Sequence, residues 1–164
     1  MAHFLVVGLG NPGKQYANTW HNLGALALKK IESINQTLHQ EVKKQSNFIL
    51  LQPKNFMNLS GIDVQQYCEK YKIPPENVIV LCDDIYIERG KIKVSKCNGD
   101  GGHNGLRSIT QTLMSNAYTK IRIGAKPLDI NQKGNTADYV LSQIDSNMEE
   151  ILQEAAEKAL ELIS

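Results

Sequence analysis

Five consecutive apolar residues, Val78-Ile-Val-Leu-Cys82, run from Pro74-Pro75 into the paired carboxylates Asp83-Asp84. So short a run, rich in β-branched residues and with no polar alternation, marks a strand buried on both faces. Such a strand needs helices above and below its sheet, so the chain must also supply helical stretches with apolar stripes. Leu23, Leu26, Ala27, Ile31, Ile34 and Leu38 recur at helical spacing, with Asn22 as the expected N-cap. Val64, Tyr67, Cys68 and Tyr71 mark a second helix, with Ser60 and Asp63 spaced as a capping box. Met148, Ile151, Leu152, Ala155, Ala156, Ala159, Leu160 and Ile163 mark a terminal amphipathic helix over about 146–163, capped by Ser146 and Glu149.

Further strands are expected at His3–Gly8, Phe48–Leu51 and Lys120–Gly124, and an alternating one at Lys91–Lys96 after a hairpin at Gly90. A glycine-rich loop from Asn98 to Gly105 opens a short helix with Leu106, Ile109 and Leu113 on one face. Asp129 to Asp138 has no periodicity and reads as loop. Alternation of the two element types predicts an α/β fold: a single domain over 1–164 with a mixed, mostly parallel twisted sheet flanked by helices.

No apolar run approaches the ~20 residues of a membrane helix, and Met1-Ala2-His3 lacks the basic start of a signal peptide. Cys68, Cys82 and Cys97 form no CxxC pair and are odd in number, pointing to a reducing, cytoplasmic setting. The net charge of +1 hides an asymmetry. From Ser142 onward, Asp145, Glu149, Glu150, Glu154, Glu157 and Glu161 face only Lys158, a balance of −5, so the other 141 residues carry +6. A basic body of this kind is compatible with a polyanionic partner.

Gly8-Leu-Gly-Asn-Pro-Gly13 matches the dinucleotide-binding pattern literally, but its surroundings do not. No helix begins at the third glycine, and Pro12 removes a backbone donor from the loop. Polar groups gather instead at the expected strand ends and loops: Asn11, His21, Asn22, Asn58, Asp83, Asp84, His103 and Asn104. A carboxylate bonded to one imidazole nitrogen leaves the other free to take a proton from water. No GxSxG is present, and the one cysteine beside a basic residue is Cys97, next to Lys96. Directly activated water is therefore favoured over a covalent intermediate. The histidines show no HxH or HExxH spacing, so neither metal nor cofactor is expected. Residue types and spacing lead to a hydrolytic or ligand-binding α/β domain and stop there.

Longer strings go further. Val7-Gly-Leu-Gly-Asn-Pro-Gly13 with Tyr16 and His21-Asn22, then Phe56-Met-Asn-Leu-Ser-Gly61, Asp83-Asp84, Gly101-Gly-His-Asn-Gly-Leu106 and Arg122-Ile-Gly124 resemble, in order, the motifs of bacterial peptidyl-tRNA hydrolases. The resemblance implies a monomeric, metal-independent esterase that releases the peptide from the 3′-terminal ribose of peptidyl-tRNA. It implies His21 as the base, Asp83 as its orienting acid, and Asn11, Asn58 and Asn104 on the ester, the peptide backbone, the water or the oxyanion. It places Tyr16, Phe56, Met57 and His103 against the substrate, and Arg122 in a phosphate clamp on the tRNA. The clamp's usual lysine falls at Ser95, leaving Lys93 or Lys96 to replace it. Trp20 stands where a basic residue is common, Cys82 where histidine is frequent, and Asp84 for the usual glutamate. Relatives usually continue into a further basic segment beyond the terminal helix, so weaker tRNA affinity is the expectation here. An RNA-binding relative without catalysis is the alternative, and a nucleotide-processing enzyme of similar architecture a third.

Overall fold

The computed structural model describes residues 3–41, 47–129 and 134–164, with backbone alone for 38–41. Met1, Ala2, the side chain of Leu38 and positions 130–133 of the expected loop lie outside the described residues. Strands are β1 (Phe4–Gly8), β2 (Phe48–Leu51), β3 (Val78–Asp84), β4 (Ile92–Lys96) and β5 (Thr119–Gly124). Helices are α1 (Leu23–Glu41), α2 (Ser60–Tyr71), α3 (Asn104–Leu113), α4 (Thr136–Val140) and α5 (Glu149–Ile163). The sheet order is β2-β1-β3-β5-β4, parallel throughout except for the antiparallel pairing of β4 with β5.

The period of two along the central strands sorts the core into two layers. Val6, Ile79, Leu81, Ile121 and Ile123 pack against α1 and α5, whereas Leu5, Val7, Val78, Val80 and Cys82 pack under α2 and α3. That double burial is why the apolar run at Val78 shows no alternation. From β1 the chain crosses to β2 on one side, and from β3 to β5 on the other. The switch therefore falls between the carboxyl ends of β1 and β3, where open α/β sheets form a crevice. Close packing beside this point depends on Gly24, where a Cβ would lie 2.1 Å from the Leu81 carbonyl oxygen.

Four local expectations are corrected. The turn at Gly90 does not form a hairpin between β3 and β4, because β5 occupies that edge of β3 and β4 pairs outside it. An alternating strand with exposed lysines suits the sheet edge, where charge discourages further pairing. The Ser60–Asp63 capping box is absent: the Ser60 hydroxyl donates to the Met57 carbonyl, and the Asp63 carboxylate accepts from the amides of Lys54 and Asn55. Ser146 likewise accepts from Arg89, and Asn147 caps the amide of Glu149, so α5 begins at Glu149. Within the stretch read as loop, Thr136–Val140 forms α4, started by the Asn135 side chain accepting from the Ala137 amide.

Candidate active site

The loop after β1 brings three successive residues, Trp20, His21 and Asn22, into one buried 3-10 turn immediately before α1. Their side chains leave in different directions. Asn22 does not cap α1 as expected. It clasps the main chain of Asn11, accepting from its amide (2.9 Å) and donating to its carbonyl (3.0 Å). Asn11 in turn accepts the Met57 amide at Oδ1, at 2.7 Å. A buried loop must satisfy its main-chain groups: the Asn22 side chain does so for Asn11, and the Asn11 side chain does so for Met57.

His21 Nδ1 lies 2.9 Å from Asp83 Oδ1 and 3.1 Å from Oδ2, at the carboxyl end of β3. The expected base and carboxylate therefore meet, although 62 positions apart in the chain. Asp83 Oδ1 also receives His103 Nε2 at 2.9 Å. His103 caps α3, its Nδ1 accepting from the amides of Gly105 and Leu106. Those bonds settle its tautomer: Nδ1 accepts, so Nε2 carries the proton given to Asp83. The two imidazoles lie 4.7 Å apart between centroids. This second histidine on the carboxylate is what sequence reasoning missed; it placed His103 on the substrate. Its position one residue before a helix, after two glycines, was the available signal.

Burial disfavours the His21 imidazolium, but the charge and hydrogen bond of Asp83 outweigh it and hold the ring's pKa above its ordinary value. Burial also disfavours the Asp83 carboxylate, yet the two imidazoles keep it ionised well below the usual carboxylate range. The thiol of Cys82, one residue before, is pushed up by complete burial and then by Asp83, which makes it a poor nucleophile. Among the described residues, His21, Asp83 and His103 are near enough to share a metal ion. Their N···O separations of 2.9 Å are hydrogen bonds, shorter than the roughly 3.3 Å between ligands in a tetrahedral zinc site. The trio does not fit a metal as it stands.

A cleft of about 370 Å³ opens over this carboxylate, lined by His21, Asp83, His103, Asn104 and Arg122, together with Asn135, Thr136 and Val140 around α4. Asn104 is the exposed first residue of α3. Met57 is buried, and a Cβ on Gly105 would sit 2.6 Å from its sulfur, so the Met57–Leu59 turn abuts the start of α3. That turn carries Asn58 on its exposed side. Phe56, half-exposed, meets Tyr16 edge-on at 6.2 Å. A continuous ring of contacts thus runs from Asn11 through Met57, Gly105, His103, Asp83 and the His21–Asn22 turn back to Asn11.

Beside the cleft is a second hollow of about 450 Å³, lined by Asp84, Tyr86, Lys93, Asn98, Gly99 and Arg122 among others. Arg122 donates to Asp84 Oδ2 (3.2 Å) and the Gly99 carbonyl (2.8 Å), while its buried Nε has no hydrogen-bond partner among the described residues. Lys93 pairs with Arg122 across the β4–β5 ladder and so shares its face; Ser95 pairs with Lys120 on that face. Lys96 pairs with Thr119 and projects from the other face. Of the two lysines offered for the clamp, Lys93 is the one beside Arg122.

The family model for peptidyl-tRNA hydrolase matches residues 5–164. Among curated proteins, a peptidyl-tRNA hydrolase of Clostridium botulinum is 36% identical over 170 residues, spanning 95% of this chain and 85% of its own. One from Campylobacter curvus is 39% identical over 166 residues, with 98% and 87% covered. Among solved structures, peptidyl-tRNA hydrolase from Acinetobacter baumannii superposes with a TM-score of 0.76 at 28% identity, covering 98% of this chain and 86% of that one.

Proposed function

Because the chain belongs to the peptidyl-tRNA hydrolase family, we propose that it cleaves the ester between a peptide and the 3′-terminal ribose of tRNA by water that His21 activates. The observation that carries this reading is the His21 Nδ1 contact with Asp83 at 2.9 Å. With Nδ1 spent on the carboxylate, Nε2 is the nitrogen left to accept a proton from water, and Asp83 stabilises the imidazolium that results. Water attacks the ester carbonyl, the proton moves to His21 Nε2, and collapse of the tetrahedral intermediate expels the ribose 3′-oxygen, which takes that proton back.

The oxyanion falls to donors at the start of α3, where the Asn104 amide and the positive end of the helix dipole face the cleft. Asn11 spends Oδ1 on Met57, which leaves its Nδ2 as the donor for the substrate beside the ester. Asn58, exposed on the next turn, is placed to bond the peptide backbone, with Phe56, Met57 and Tyr16 as the apolar wall. Arg122 and Lys93 take phosphate oxygens in the adjoining hollow, which both residues line. Action as a monomer is part of the same proposal, on the family resemblance of the motifs. No helix among the described residues is long and apolar enough to cross a membrane.

The test is release of an N-acetylaminoacyl group from charged tRNA. His21→Ala is expected to lose roughly 10²–10⁴ in rate, the usual worth of a positioned base, with tRNA binding unchanged. Equal turnover in wild type and variant removes His21 as the base. A wild type that binds tRNA and releases nothing makes the protein a binding module.

A further inference from the structure

Next in sequence to the His21–Asp83 pair, at Trp20, is a cluster that the chemistry above does not use. The Trp20 ring is buried and stacks on Tyr139 of α4, with centroids 6.0 Å apart and planes inclined by 19°. The guanidinium of Arg89, from the loop after β3, lies 4.2 Å from the centre of the same indole. Arg89 is itself tied on every side. Its Nε donates to the Lys126 carbonyl (3.0 Å), Nη1 to Asp145 Oδ1 (2.8 Å) and Ser146 Oγ (2.6 Å), and Nη2 to the Tyr139 hydroxyl (3.1 Å). The Tyr139 hydroxyl passes its own proton to the Ala125 carbonyl at 2.6 Å.

So many bonds on one largely buried guanidinium bring together the loop after β3, the end of β5, α4 and the approach to α5. All meet on the one aromatic ring adjacent in sequence to His21. The backbone adds to it: the Trp20 amide donates to Ser142, the Ile144 amide to Asn18, and Thr19 bridges Gln143.

We infer that Trp20, Arg89 and Tyr139 act as a positioning unit for His21, holding the turn that carries the base at the distance from Asp83 that the reaction requires. The physical reason is leverage. The 3-10 turn has three residues, and each is anchored separately: Asn22 to the main chain of Asn11, His21 to Asp83, and Trp20 to the Arg89–Tyr139 pair. Removing the last anchor leaves that end of the turn held by the backbone bonds alone, so the turn can shift, and the imidazole moves with it. Misplacement of a reacting group by about 1 Å can cost ~10² in rate. A cation resting on an indole face in a buried setting is strong enough to resist such motion. Because Tyr139 belongs to α4, whose Thr136, Ala137 and Val140 also line the cleft, the same unit ties α4 to the turn that carries the base.

The inference rests on the reading of His21 as the base, so its test has one arm that needs no turnover. Arg89→Met keeps the chain length and the packing on Trp20 while removing the charge and the hydrogen bonds. Its kcat on N-acetylaminoacyl-tRNA is expected to fall about 10-fold with KM within roughly twofold, a pattern of lost positioning rather than lost substrate binding. Arg89→Lys, which keeps a cation over the indole, is expected to recover part of that loss.

The second arm is NMR titration of the His21 imidazole. The groups in contact with it are Asp83 from β3 and His103 before α3, and Asp84, Asp100 and Arg122 line the same cleft. None of these is altered in Arg89→Met, so a midpoint moving to lower pH reports a longer His21–Asp83 contact. An unchanged midpoint and unchanged kcat, with only the melting temperature lowered, make the cluster a plain structural staple and overturn the inference. If Arg89→Met does not fold, Tyr139→Phe, which keeps the stacked ring and loses its hydroxyl, carries both arms with smaller expected changes and the same criterion. Absence of turnover in the wild type counts against the hydrolase reading alone and leaves the titration to decide this one.

Discussion

Asp83 and Asp84 are chemically the same side chain on adjacent residues of β3, and the pleat sends them to opposite faces of the sheet. Asp83 turns to the α1 side and, at the carboxyl end of the sheet, holds the imidazoles of His21 before α1 and His103 before α3. Asp84 turns to the α2–α3 side and accepts from the guanidinium of Arg122 and the amide of Tyr86. One carboxylate thereby orients two imidazoles, one of them the base of the proposed reaction. The other orients a permanently charged donor at the rim of the second hollow, where we propose that phosphate binds. The difference lies in which loops and strands each carboxylate reaches from the end of β3.

Asp83→Asn is expected to have the largest effect on this contrast. The amide keeps the shape but presents the wrong donor to one of two N–H groups, and kcat is expected to fall by roughly 10²–10⁴. The pH dependence should move with it. His21 must be neutral to act as a base, so wild-type activity rises with pH through a midpoint above the ordinary imidazole value. Without the carboxylate, burial alone acts on the ring, and the midpoint of the residual activity drops below about 6.5. A midpoint that stays put breaks the proposed electrostatic link.

On the other face, Arg122→Glu is expected to weaken tRNA binding by about tenfold and to flatten its salt dependence, leaving kcat near wild type at saturation. A steep salt slope in the variant moves the phosphate site elsewhere. Lys93→Ala should act in the same direction by a few-fold, as one exposed cation, and Lys96→Ala less, because it projects from the other face. That ordering, read by filter binding or anisotropy at several salt concentrations, tests the register argument.

The smallest expected effect is on stability as a function of pH. Asp83 titrates lower in the folded protein, so its contribution is present above the ordinary carboxylate range and lost as pH falls through its depressed midpoint. His21 titrates higher, so its contribution is present below its ordinary midpoint and lost as pH rises through the raised one. The stability of wild type minus Asp83→Asn, from urea unfolding, should peak between those limits. A flat difference would show that the pair makes no net contribution to folding.

Much of this site was legible along the chain. Asp83 follows an unbroken apolar run, so it had to emerge at the end of a buried strand; His21 precedes a helical stripe and Asn104 opens one. What could not be read was partnership. Asn22 has the composition of a helix cap and bonds Asn11 instead. Ser60 and Ser146 have capping-box spacing and serve other contacts. A local cap contributes only about 1 kcal/mol, so a buried tertiary hydrogen bond of similar worth readily displaces it.

The sequence by itself determined the alternation of elements, the double burial of β3 and the family motifs, since those depend on periodicity and on residue types at short range. Only the tertiary structure decided that β5 separates β3 from β4, that His103 shares the carboxylate of His21, that Lys93 rather than Lys96 lies beside Arg122, and that Arg89 rests on Trp20. Each of these joins residues far apart in the chain, and such pairs are selected by which faces and edges remain open once the sheet has formed.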